Sequence, residues 1–392
     1  MLFRSGTVFT NAFVTTSLCS PSRASFLTGQ YASRHGVQNN FTPWNPESVT
    51  FLELLAGSGY DAAFIGKWHM PGGLPELRGV DPFVTFTVND GQGRYFDCPL
   101  IVNGKPEPSE TPYITTELTN RAIEFIGEER DEPFVLYLSH KAAHANFLPP
   151  EELEGTYDDA DVVMPVGSHP WIQATKGQLV HGILSPITSI VRDYSETITG
   201  MDYEIGRLLD TLDELDLDDN TVVVYTSDNG YLWGEHGLVD KRWAYETSMR
   251  IPFIVRYPEL AAENPAGHSG RLPQMVLNVD LAPSLLELAG VPVPPEVQGE
   301  SWARYLTQSD APGRDSFLYE YFLDFPFPVP PLRAVRTNEY KLIDYDSRRT
   351  DELYDLEADP GEGRNLLRHA DAMPRGLEGR MRDELTTLEE EL

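Results

Sequence analysis

Thr221-Val222-Val223-Val224-Tyr225-Thr226 runs without a break into Ser227-Asp228-Asn229-Gly230. All six residues of the first part are β-branched or aromatic, and the second part offers a carboxylate, an amide and a turn glycine. Two other stretches have the same form. Ala62-Ala63-Phe64-Ile65 leads into Gly66-Lys67-Trp68-His69, and Phe134-Val135-Leu136-Tyr137-Leu138 leads into Ser139-His140-Lys141-Ala142-Ala143-His144. Near-continuous apolar runs of this length predict strands buried on both faces, hence a mostly parallel sheet. Helical periodicity lies between them, over Ser48–Ser58, Thr115–Glu129 and Ile190–Leu215. Alternating strands and helices predict an α/β sandwich. In such sheets ligands collect beyond the carboxyl ends of the strands, so the three polar clusters are expected to form one site.

A fourth segment belongs with them. Cys19-Ser20-Pro21-Ser22-Arg23 continues as Ala24-Ser25-Phe26-Leu27-Thr28-Gly29. Ser20 suits an N-cap and Pro21 a first helical position, which places Cys19 at the positive end of a helix. Arg23, one turn on, is expected to hold the group at position 19. The segment reads as an anion site carrying a reactive side chain.

The 392 residues suffice for one large α/β unit and a smaller one. Residues 1–300 are expected to form the first and residues 301–392 an α+β subdomain. In the latter, Arg333–Tyr345 and Glu352–Leu356 read as a short antiparallel sheet, followed by a polar helix over Pro374–Leu392. Net charge is −31, from 61 acidic and 30 basic residues, only six of them lysine. Such a surface argues against nucleic acid or an anionic membrane as partner, and it suits a halophilic cytoplasm. No apolar run approaches the ~20 residues of a membrane span. Met1–Gly6 carries neither a basic leader nor an apolar core, and a cytoplasmic location is the expectation. Two cysteines give no disulfide framework, and Cys98 is expected to be a buried thiol.

The Cys19–Gly29 run resembles the signature of the sulfatases, C-x-P-x-R followed by A-S-x-L-T-G. Gly66-Lys67-Trp68-His69 and Asp228-Asn229-Gly230 resemble two further motifs of that family, and Gly234–Lys241 is similar to a third. Asp228-Asn229-Gly230 alone would read as a turn. The resemblance implies an alkaline-phosphatase-like sandwich and hydrolysis of sulfate esters. It implies oxidation of Cys19 to formylglycine by a maturation enzyme, with Arg23 beside it. Lys67 and Lys241 would contact the sulfate, His69 would hold and deprotonate the hydrated aldehyde, and His144 would protonate the leaving alcohol. His140 and His236 would be neighbours in the substrate site. A Ca²⁺ ion, or Mg²⁺, would rest on Asp228, Asn229 and the modified Cys19. Asp280-Leu281-Ala282-Pro283-Ser284 is a structural landmark of the family.

Tyr137–Lys141, Tyr319-Glu320-Tyr321, Phe325-Pro326 and Ala334–Thr337 resemble the N-acetylglucosamine-6-sulfatase and mucin-desulfating branch. A sulfated sugar or aryl sulfate is the expected substrate. Sulfatases open with a strand ending in an Asp-Asp pair, two more calcium ligands, and Phe3–Ala12 resembles the segment that follows it. The central sheet is therefore expected to lack an interior strand and to carry unpaired backbone edges. Two alternatives stand beside this reading: a phosphonate or phosphodiester hydrolase of the same superfamily, and a catalytically impaired carbohydrate-binding relative.

Overall fold

The computed structural model describes residues 6–165, 187–258, 270–346, 350–369, 371 and 373–392. The Pro-rich stretch Pro149–Pro170 reads in the sequence as an irregular rim loop, and its residues 166–170 lie outside the described residues.

Strand β1 (Thr7–Phe13) opens the fold. One sheet is then built from β2 (Asp61–Gly66), β3 (Val80–Thr85), β4 (Leu100–Val102), β5 (Lys105–Glu107) and β6 (Phe134–Ser139), in the order β5-β4-β3-β2-β6. β2 pairs parallel with β3 and with β6, in register from Asp61↔Phe134 to Gly66↔Ser139. Phe64 is stacked between Phe83 and Tyr137, at 5.1 and 5.3 Å, so aromatic rings tie the three parallel strands together. A second sheet contains β7 (Val223–Thr226). The small hairpin of β8 (Leu232–Trp233) and β9 (Val239–Asp240) follows, then β10 (Phe253–Arg256) and β11 (Arg271–Leu277). The order is β11-β1-β10-β7.

The α/β class is as expected, but the pairing is mixed rather than mostly parallel. β7 lies antiparallel to β10, and β4 lies antiparallel to both β3 and β5. Nor are β6 and β7 buried on both faces: all four residues of β7 and the first five of β6 are half-buried. The physical reason is their position. Each is the outer strand of its sheet, and among the described residues no strand pairs with its free edge. Both line one cavity of about 960 Å³ that Ile205 and Leu208 of the long helix also face. The unpaired edges expected of the central sheet are found here.

The six longest helices among the described residues organise the rest. α1 (Cys19–Thr28) is buried along its whole length and ends at Gly29, whose φ of 69° lets its N–H reach the Ser25 carbonyl. α2 (Phe51–Ala56) starts in a capping box made by Thr50 and Glu53. α3 (Ile114–Ile126) and α4 (Ile187–Glu214) pack on each other. α5 (Leu281–Leu288) follows Asp280, whose carboxylate accepts from Leu277 N–H at 2.7 Å and pairs with Arg314 at 2.7 Å. That landmark is thus a brace. None of the helices among the described residues is long and apolar enough to cross a membrane.

Arg333–Tyr345 divides into two strands. With β12 (Ser316–Tyr321), β13 (Leu332–Thr337), β14 (Tyr340–Tyr345) and β15 (Glu352–Asp355) form an antiparallel sheet in sequence order, covered by α6 (Leu377–Glu390). Its core is continuous with Phe13, Leu18, Trp243 and Met249 of the preceding elements.

Candidate active site

The site forms where α1 meets the carboxyl ends of β2, β6 and β7. α1 begins at Cys19 itself. Its N-cap is Leu18, and Ser20 does not cap. The Ser20 hydroxyl instead donates to the His69 carbonyl at 2.5 Å, tying the helix start to the loop after β2. Cys19 therefore occupies the first helical turn, where free N–H groups favour an anion.

Two ammonium groups converge on the buried Cys19 sulfur. Lys241 Nζ lies at 3.2 Å and Lys67 Nζ at 3.8 Å. Gly66, before Lys67, has a φ of 122°, and a Cβ there would come within 1.9 Å of the Ser139 carbonyl oxygen. Only glycine lets β2 turn out of the sheet so close to β6. Burial alone would raise the Cys19 thiol, but Lys241 and Lys67 overcome it and hold the group well below its usual range. Burial also pushes Lys67 down to about 7, partly offset by Cys19. Lys241 is buried too, yet Cys19 and Asp240 keep it above its ordinary value. The charges are mutually dependent: an anion at position 19 favours the protonated form of both lysines.

His69 and His144 stand beside the sulfur. Burial, then Lys67, lowers His69 to about 4 and His144 to about 3, so both rings are neutral at pH 7. His69 Nε2 is 2.8 Å from Gln92 Nε2. The backbone of His144 is held by Tyr95, whose hydroxyl donates to its carbonyl at 2.7 Å, and its Nδ1 meets the Ala145 carbonyl. Neutral imidazoles next to two ammonium groups can accept a proton at position 19.

Arg23 does not contact Cys19 directly. Its Nε and Nη2 donate to Asp228 at 3.0 and 2.7 Å, and one Nη1 reaches the Lys67 carbonyl at 2.8 Å and the Ser139 hydroxyl at 2.5 Å. Arg23 is a clamp between the ends of β2, β6 and β7. Burial would raise the Asp228 carboxyl, and Arg23 holds it below the usual range instead. Asn229 Oδ1 is buried without a hydrogen-bond partner. A hard cation is compatible with these oxygens, but the set is short. Ca²⁺ takes six to eight oxygen ligands, and no group of three or more His, Cys, Asp or Glu that could hold a metal occurs among the described residues.

The two expected neighbours each have a partner of their own, and His140 lines the cavity that Lys67, His144 and Lys241 also line. His140 Nε2 lies 3.1 Å from Thr119 of α3, and burial lowers it to about 4. His236 is stacked on Tyr245, ring centroids 3.8 Å apart. Cys98 is a free, buried thiol, and burial raises it. Sequence reasoning missed Gln92 and gave no role to Lys141, whose Nζ donates to the Gln92 carbonyl at 3.0 Å. It missed Asn40 as well, whose side-chain oxygen accepts from Ser20 N–H at 3.1 Å. Only the lysine had a signal, its place in Ser139–His144.

The chain matches the sulfatase family model over residues 1–291 and the C-terminal model of N-sulphoglucosamine sulphohydrolase over residues 234–391. It is 29% identical to the N-acetylglucosamine-6-O-sulfatase of Bacteroides thetaiotaomicron, covering 93% of this chain and 77% of that one. It is 28% identical to an ulvan-active sulfatase of Formosa agariphila, covering 92% and 70%. A solved structure in complex with its substrate D-glucosamine-2-N,6-O-disulfate superposes with a TM-score of 0.87 at 27% identity, over 99% of this chain and 90% of that one. The phosphonate monoester hydrolase of Agrobacterium radiobacter shares the fold, with a TM-score of 0.77 at 20% identity, over 100% and 90%. With the cysteine, both lysines and both histidines drawn to one point, the chain belongs to the sulfatase family, a family of sulfuric ester hydrolases.

Proposed function

We propose that this chain hydrolyses a 6-O-sulfate ester of a sulfated amino sugar at Cys19, after oxidation of that residue by a maturation enzyme. The observation that carries the reading is the placement of Lys241 and Lys67 at 3.2 and 3.8 Å from the Cys19 sulfur. The sulfur stands where the hydroxyl oxygens of an oxidised side chain would sit. When formed, formylglycine supplies a nucleophile with a second hydroxyl through which sulfate can later be expelled. Lys67 and Lys241 bind the equatorial oxygens of the sulfate and neutralise the charge that builds there. His144, held by the Ala145 carbonyl, takes up a proton when the anionic sulfate lies beside it and passes that proton to the leaving sugar oxygen. His69 takes one from the group at position 19. Arg23 keeps the strand ends fixed around them.

Asp228 and Asn229 are proposed as two ligands of a Ca²⁺ ion. A binding isotherm with CaCl₂, in wild type and in Asn229→Ala, tests this without turnover.

Support for the sugar comes from the relatives' substrates: a sulfated glucosamine in one, N-acetylglucosamine 6-sulfate in another. The experiment is turnover of N-acetylglucosamine 6-sulfate by chain coexpressed with a maturation enzyme, with oxidation of Cys19 verified by peptide mass. Sulfate release that vanishes in Cys19→Ala supports the proposal. Oxidised chain that cleaves an aryl phosphate diester faster than any sulfate ester would overturn it in favour of the phosphonate-hydrolase alternative.

A further inference from the structure

A closed ring of contacts surrounds the reacting position. Cys19 precedes Ser20, whose N–H donates to Asn40 Oδ1 at 3.1 Å. Asn40 N–H in turn donates to Asp324 Oδ1 at 3.4 Å, and Asn39 Nδ2 donates to the Leu323 carbonyl at 2.9 Å. Asp324, fully buried, pairs with Arg242 at 3.0 Å, whose guanidinium lies 3.5 Å from the centre of the Phe327 ring. Arg242 follows Lys241, and Lys241 Nζ returns to the Cys19 sulfur at 3.2 Å. Two loops, distant in sequence, are thus fixed to each other and to both sides of position 19.

The residues next to those fixed ones do the opposite of burying themselves. Phe41, beside Asn40, is 62% exposed, and Leu323 and Phe325, flanking Asp324, are 54% and 77% exposed. Among the described residues only three large aromatic side chains are exposed, and two of them stand here. Rigid loops that hold apolar side chains in water at the rim of a polar site are unexplained by packing. Three side chains are also far too little surface for a stable protein interface.

We infer that Phe41, Leu323 and Phe325 form an apolar collar that binds the ring of the sugar adjoining the sulfated one, so that the substrate is an oligosaccharide or polysaccharide. A pyranose ring offers a face of C–H groups to an aromatic side chain and an edge of hydroxyls to water. Charge favours this mode of binding. With a net charge of −31 the protein repels the remainder of a sulfated chain, and stacking on a neutral ring face does not depend on attraction between charges. The inference rests on the sulfated-sugar reading above.

The test compares N-acetylglucosamine 6-sulfate with a tetrasaccharide ending in it, using wild type, Phe41→Ala/Phe325→Ala and Phe41→Trp/Phe325→Trp. The alanine pair should lower kcat/KM for the tetrasaccharide about tenfold, through KM, and change the monosaccharide less than about twofold. The tryptophan pair should restore the tetrasaccharide. A second readout needs no turnover: saturation-transfer NMR with the unsulfated tetrasaccharide, which should mark the second ring in wild type and lose that signal in the alanine pair. Equal losses on both substrates, no loss on either, or absence of transfer to the wild type would overturn the collar. If no substrate turns over, the sulfated-sugar reading above fails, and the NMR result still decides the collar.

Discussion

The C-terminal sheet and the two-part main sheet solve the same problem with different completeness. β12 to β15 pair in sequence order, β12 with β13 without a break from Ser316↔Thr337 to Tyr321↔Leu332. Leu332, Ala334, Val335, Leu342 and Ile343 are wholly buried on the two faces of this sheet, between α6 and the preceding elements. β6 and β7, by contrast, end their sheets with half-buried residues around a 960 Å³ cavity. Backbone groups in the first region find partners in neighbouring strands. Among the described residues, those at the two free edges find no partner strand. The site is built at the end of this less complete region, and what joins its two halves there is a side chain, Arg23, rather than a strand.

Removing that clamp should have the largest effect. Arg23→Gln leaves Asp228 buried without its cation and the Lys67 carbonyl and Ser139 hydroxyl without their donor. Loss of one partner of a buried pair costs about 3–5 kcal/mol, read here as a lower urea midpoint. The comparison breaks if Arg23→Gln costs less than about 1 kcal/mol, the range of a solvent-exposed pair.

Side-chain truncation sharpens the contrast. Leu342→Ala on β14 empties a fully buried site and should cost about 3 kcal/mol. Leu136→Ala on β6 faces a region already partly open, and about 1 kcal/mol is expected because little new cavity is made. Equal costs from urea unfolding of both variants would show that β6 is as well packed as β14.

The sequence made some of this plain and hid the rest. Gly66-Lys67-Trp68-His69 and Asp228-Asn229-Gly230 were readable because an apolar run that stops at polar residues fixes a strand end locally. Strand β1 was not, since Thr7–Phe13 alternates weakly and is held by partners more than 240 residues away. Ser20 was misread because the Leu18 backbone starts the helix and the serine hydroxyl finds the His69 carbonyl, 49 residues on. The direction of β7 depends on β10, whose apolar run carries no polar site residues of its own. Arg23 was read as a partner of Cys19 from its spacing along a helix. Its guanidinium is long enough to pass Cys19 and bind Asp228, and only the tertiary arrangement sets that choice. Asn40 and Asp324 are 284 residues apart, and nothing local announces their contact.

Acid should separate the two regions most delicately. His35 is buried and bonded to Ser25 and to the Val37 N–H, and burial lowers it to about 3. His140 is lowered to about 4 for the same reason. In the unfolded chain both would titrate near 6.5. Between about pH 6.5 and 4 the unfolded state therefore binds more protons than the folded one, and stability falls as pH falls. The loss from pH 7 to pH 6 should be about 1 kcal/mol for the two together. Both histidines pack on the main-sheet side, His35 against α1 and His140 against α3, whereas the residues of β12–β15 include no histidine. Amide exchange followed at pH 7 and pH 6, corrected for intrinsic rates, should then show β2 and β6 losing protection while β13 and β14 keep theirs. A uniform loss over both sheets would mean that the molecule opens only as one cooperative unit. In that case the open edges of β6 and β7 would be a feature of shape without consequence for stability.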